Sequence, residues 1–115
     1  MSAGYQDLFL EQGTTFSTQL TLNDVYGNPY NLTSYGIASQ ARRSYYSANA
    51  TITFATSISN ANTGTITLGL DSANSANVPT GTLLYDVIIK DSSNNVTRVL
   101  EGRVFVDPMI TRPTF

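Results

Sequence analysis

Along most of the chain apolar and polar residues alternate one for one, the pattern of strands with one buried and one wet face. In TTFSTQLTL, residues 14–22, Phe16, Thr18, Leu20 and Leu22 share a face opposite Ser17, Gln19 and Thr21. NDVYGNP then breaks the run with turn residues, and a further strand is predicted over 35–43. A short N-terminal strand is expected near residues 8–11. In TITFATSI, Ile52, Phe54, Thr56 and Ile58 alternate with smaller residues, and after SNANTG the run TITLGL aligns Ile66, Leu68 and Leu70. These two runs predict one hairpin. DSANSANVP predicts a short helical turn near 71–77, capped by Asp71, closed by Pro79 and spanning the two sheets.

The most regular stretch is LYDVIIKDSSNNVTRVLEGRVFVDP, residues 84–108. Tyr85, Val87 and Ile89 face one way on its first strand, Leu100, Val104 and Val106 on its second, with a polar turn between. Gly102 leaves a gap on that face, to be filled by a bulge or a neighbouring aromatic ring. About seven short strands separated by frequent turns predict an all-β fold, an immunoglobulin-like antiparallel β-sandwich, with a small barrel as the alternative. The sandwich domain is expected over residues 1–107. The prolines and final aromatic of residues 108–115 predict an extended C-terminal tail, held down by a neighbouring subunit.

Composition narrows the function more than the fold. The 115 residues contain no cysteine and no histidine, which removes thiolate chemistry and the commonest general base and transition-metal ligand. Only 12% of residues are charged, about half the usual share, and the net charge is −2 with Lys90 the single lysine. Such a chain lacks the basic footprint that binds a phosphate backbone, so no nucleic-acid partner is expected. No apolar run is long enough to cross a membrane, and no secretory signal pattern opens the chain; a soluble protein with no membrane partner is expected.

The acidic residues fall mostly in turns and at strand ends, where Asp is favoured for local hydrogen bonding, so no catalytic carboxylate pair is expected. Asp86 and Lys90 share the parity of Leu84 and Ile88 and read as a solvated or interface-facing edge. DSSNN, residues 91–95, has oxygen ligands at alternate positions, but neither the glycine nor the bidentate glutamate of a calcium loop follows. A polar turn suffices there. The sequence therefore predicts no enzyme, no cofactor and no metal site.

Seven tyrosines are a heavy load for a chain of this size, and five of them lie between positions 26 and 46. Tyr26, Tyr30, Tyr45 and Tyr46 are candidate interface residues beside Arg42 and Arg43, since tyrosine offers wide contact area and a polar tip at low entropy cost. Packing of these rings against the fold and a sugar platform are the alternatives; Tyr35 and Tyr85 read as core rings with a wet hydroxyl. Arg103, Met109, Arg112 and Phe115, in the last strand and tail, complete the interface candidates.

The order of motifs carries a resemblance. Gly13-Thr14-Thr15-Phe16 opens a strand, Asp24, Gly27 and Pro29 form a D-x-x-G-x-P turn running into Asn31-Leu32-Thr33, and a strand ends in ASQARRS. GTITL, the A-x-x-P-x-G link of Ala76, Pro79 and Gly81, then Y-D-V-x-I-x-D and R-V-L-E-G-x-V-x-V-D-P follow, ending in Thr111-Arg112. In this order, over about residues 12–112, the chain resembles the small β-sandwich domains of tailed-bacteriophage virions. These include the N-terminal domains of upper-baseplate proteins and short stand-alone chains of contractile-tailed phages. The resemblance implies a structural virion protein of the tail, baseplate, neck or head surface, made in the bacterial host cytoplasm and assembled with other virion proteins and copies of itself. A capsid decoration or an adhesion module that binds host-surface glycan is the alternative expectation.

Overall fold

A computed structural model describes residues 4–23, 26–44, 46–47 and 49–111 of the protein. The strands are β1 (Gly4–Tyr5), β2 (Leu8–Glu11), β3 (Phe16–Thr21), β4 (Gly36–Arg42), β5 (Ile52–Thr53), β6 (Ala55–Asn60), β7 (Thr65–Leu70), β8 (Gly81–Lys90) and β9 (Val96–Asp107). One short helix, α1 (Ser72–Ala76), joins β7 to β8. The larger sheet has the order β1-β9-β8-β4-β5, with β2 also paired to β9, and the smaller has the order β3-β7-β6. Both sheets are open, so the barrel alternative does not hold.

Two expectations need correction. The larger sheet is mixed and not antiparallel, because β1 and β2 run parallel to β9, with Leu8 beside Val104 and Leu10 beside Val106. Alternation in Leu8–Glu11 reports which face is buried and is silent on the direction of the neighbour. The second correction concerns TITFATSI, which is not one strand. Its first residues, β5, pair with β4 in the larger sheet, and its later residues, β6, pair with β7 in the smaller one. The chain changes sheet at Phe54, whose N–H donates to the Ser39 carbonyl at 3.0 Å. Ile52 and Phe54 keep the burial parity expected of them, so the pattern survives a change of partner that it does not announce.

Inward-facing residues of both sheets form one core. Leu83, Tyr85, Val87 and Ile89 of β8 and Leu100, Val104 and Val106 of β9 meet Ile66, Leu68 and Leu70 of β7. Burying each such aliphatic side chain contributes about 2 kcal/mol. At the point where the chain changes sheet, the Phe54 ring tilts against Phe16 (centroids 5.9 Å apart) and stands edge-on to Tyr85 (6.4 Å), joining the two layers. The helical turn forms where expected. The Asp71 carboxylate accepts the Asn74 N–H at 2.8 Å, and the buried Ser75 hydroxyl donates to the Thr14 carbonyl at 2.6 Å, tying the helix to the β2–β3 link.

The β8–β9 hairpin is antiparallel, with a bulge that leaves Val99 outside the one-to-one register. Its turn is held by Asp91, whose carboxylate accepts the N–H groups of Ser93 and Asn95, both at 2.9 Å, while Asn94 takes a left-handed φ of 66°. These bonds, that from Asn95 foremost, hold the Asp91 carboxyl below its ordinary range. The gap at Gly102 is filled by an aromatic ring. Tyr85 lies opposite Gly102, and its hydroxyl donates to the Gln6 carbonyl across the glycine. A Cβ at Gly102 would collide with that carbonyl and sit 3.0 Å from the ring. Burial pushes the Tyr85 phenol well above its ordinary value.

Candidate functional site

The strand register assembles an outer face on the larger sheet that the sequence does not display as a unit. Across it, Arg42 of β4 stands beside Leu84 of β8, and Leu84 beside Arg103 of β9. One row along, Gln40 is beside Asp86 and Asp86 beside Glu101. Two carboxylates on neighbouring strands repel unless a cation lies between them. Arg98 fills that role, with Nε 3.2 Å from Asp86 Oδ2 and a terminal nitrogen 3.1 Å from Glu101 Oε2. β8 is flanked by β4 and β9, so Asp86 and Lys90 lie on the face of a central strand and not at an edge.

The two remaining arginines of this face are held differently. The Arg42 guanidinium donates to the neutral Gln40 Oε1 at 2.8 Å, and among the described residues neither Arg42 nor Arg103 lies within ion-pair distance of a carboxylate. Together with Tyr5 and Leu84 they border a half-open cleft of about 270 Å³. Beside it, Gln6 and Asp7 separate β1 from β2. Tyr85 takes the Gln6 carbonyl, and the Asp7 carboxylate accepts the Arg103 backbone N–H at 3.2 Å. A hydrogen bond with Asp7 pushes the exposed Tyr5 phenol upward.

Beyond the cleft runs an aromatic strip. Phe9, 71% exposed, stacks on Phe105 with ring centroids 5.4 Å apart, and Tyr5 lies earlier on the same edge of the sheet. The smaller sheet is unlike this. Its outward positions are Ser17, Gln19 and Thr21 on β3, Thr65 and Thr67 on β7, and Ala55 and Ser57 on β6, and its three strands carry no charged residue. By contrast, four of the chain's six basic residues, Arg42, Lys90, Arg98 and Arg103, are on strands of the larger sheet.

The tyrosine group is divided by β4. Tyr26 and Tyr30 lie in the loop that enters this strand and Tyr46 in the loop that leaves it, so roughly 20 Å of strand separates the two ends. Tyr26 and Tyr46 are exposed, at 84% and 95%, whereas Tyr30 packs against the core and its N–H donates to the Leu22 carbonyl at 3.0 Å. Arg43 is exposed at the end of β4. Met109 is half-buried; its N–H donates to Gln12 Oε1 at 3.2 Å and its side chain lies over Gly13. The start of the tail is thus held by its own chain. Tyr45, Arg112 and Phe115 lie outside the described residues.

No protein-family model matches the chain, and no curated protein matches it. Among the described residues no group of three or more acidic, histidine or cysteine side chains is placed to hold a metal ion, and no helix is long and apolar enough to cross a membrane. The site residues that sequence reasoning passed over are Tyr5, Phe9, Leu84 and Phe105. A signal for three of them was present: Phe9, Leu84 and Phe105 are large apolar residues at the wet parity of strands whose alternate positions are already apolar.

Proposed function

We propose that the chain is a non-enzymatic structural protein of a tailed-bacteriophage virion, part of the tail, baseplate or neck, that assembles through protein–protein contacts. The observation that carries the assembly role is the outer face of the larger sheet, where exposed aromatic rings adjoin Arg42 and Arg103, whose guanidiniums lie outside ion-pair distance of any carboxylate among the described residues. Aromatic and arginine side chains are the residues enriched where proteins meet. The virion setting rests on the ordered motifs from Gly13 to Thr111.

An immunoglobulin-like reading of the fold is supported by strand order. The β3-β7-β6 sheet corresponds to strands B, E and D of that fold, and β4, β8 and β9 to C, F and G. In this reading β5 is an added C′ strand, and β1 and β2 are an A strand moved onto G.

Contact with proteins is favoured over a glycan platform because Tyr26 and Tyr46, the exposed described members of the tyrosine group, stand at opposite ends of β4 and cannot flank one sugar. Peptide mass spectrometry on density-purified particles tests the proposal. A fixed copy number relative to the major capsid and tail proteins is expected; absence from intact particles overturns the virion role.

A further inference from the structure

We propose that the cleft on the outer face of the larger sheet receives an acidic side chain from a segment of another protein, with the apolar neighbours of that side chain seated on Tyr5, Phe9 and Phe105. The inference rests on the assembly role above and gives the partner a chemistry. Arg42 and Arg103 flank Leu84 from the strands on either side, so their Cα atoms are about 9.6 Å apart, two strand spacings. Both side chains border the cleft with Leu84 between them, Arg42 resting on the neutral Gln40 Oε1, and a carboxylate entering there would accept from both forks. Leu84 gives this point an apolar floor, which strengthens a charged hydrogen bond above it.

Asp86 and Glu101, one row along, would repel an incoming carboxylate if they were free. Arg98 engages both with its single charge, and the Asp7 carboxylate is held on the Arg103 backbone N–H. Arg42 and Arg103 are the arginines of this face whose guanidiniums have no carboxylate within ion-pair distance among the described residues. Asp86 and Glu101 of a second copy would likewise be engaged already, which makes them poorer occupants of the cleft than a free carboxylate. The uncharged face of the smaller sheet offers no equivalent.

The test is an NMR titration of the isotope-labelled full chain. The probe is the peptide acetyl-Ser-Phe-Glu-Leu-Ser-amide, compared with its Gln counterpart and with sodium galacturonate. Saturable shifts of Leu84 and of the Arg42 and Arg103 Nε–H signals are expected with the acidic peptide. Affinity should fall about tenfold for the Gln peptide and for Arg42→Gln or Arg103→Gln, with core resonances unmoved. A flat titration, or an equal response to the Gln peptide, overturns the proposal. Tighter binding of galacturonate overturns it in favour of an acidic glycan. A dimer in sedimentation runs that is abolished by Arg103→Glu overturns it in favour of a second copy. The titration uses purified protein and is independent of particle composition. A flat result from a chain present in particles removes the site alone; binding by a chain absent from particles supports the site and removes the virion role.

Discussion

The outer faces of the two sheets are built from the same alternating strands, yet they are chemically unlike. On the smaller sheet the wet positions are Ser, Thr, Gln and Ala, short side chains that are well solvated and hold their neighbours lightly. On the larger sheet the wet positions carry aromatic rings and Leu84, which gain when water is removed from them, beside opposed charges, which need a partner when it is. The difference teaches that the low overall charge of this chain is not a dilute coating. The charges that its strands carry all lie on the larger sheet, and the strands of the smaller one are left neutral.

The sharpest way to break this contrast is at the glycines. Gly102→Ala forces a Cβ into the Gln6 carbonyl and the Tyr85 ring, and should cost about 3 kcal/mol and lower Tm by roughly 10–15 °C. Gly69→Ala on the smaller sheet meets only the Phe16 carbonyl at 3.5 Å and the Ala55 carbonyl at 3.9 Å, ordinary contacts, and should change stability by less than about 1 kcal/mol. Equal losses in thermal melts would show that the two sheets do not differ in packing at these sites.

A smaller effect is expected at Tyr85→Phe, which leaves the Gln6 carbonyl without its donor at about 1–2 kcal/mol. Hydrogen exchange should quicken at β1 and the facing part of β9 and stay unchanged in β3, β6 and β7. The same phenol sets an alkaline limit. Because the folded protein raises its pKa, it stabilises the fold fully below the unfolded value near about 10 and loses that contribution as pH rises above it. Denaturation at stepped pH should show this decline in the native chain and a shallower one in Tyr85→Phe.

Arg98→Ala should cost less than about 1 kcal/mol, since its ion pairs are half-exposed, and much of that loss should come from Asp86 and Glu101 facing each other without a cation. Replacing Asp86 and Glu101 together by Asn and Gln in that background should restore the stability. The least change is expected at the hairpin turn. The carboxyl of Asp91 is held below its ordinary range, so its contribution is present above the unfolded pKa near about 4 and is lost as pH falls through the folded one. An NMR pH titration should place the Asp91 midpoint below the ordinary Asp value, and in Asp91→Asn the amide of Asn95 should exchange faster.

Much of this molecule was legible in the sequence because burial follows from alternation and turns follow from backbone chemistry. The inward positions of β3, β7, β8 and β9, the capped turn at Asp71, the 91–95 turn and the need for a ring or bulge at Gly102 all arise within a few residues of one another. What alternation cannot contain is the identity and direction of a strand's neighbour, since both faces of a strand read the same whichever strand lies beside it. Tertiary structure alone therefore decided that β1 and β2 run parallel to β9, that the chain changes sheet at Phe54, and that Tyr85 reaches Gln6. It also decided the candidate site. Arg42, Leu84 and Arg103 are far apart in the chain, and only the register of β4, β8 and β9 sets them in one row.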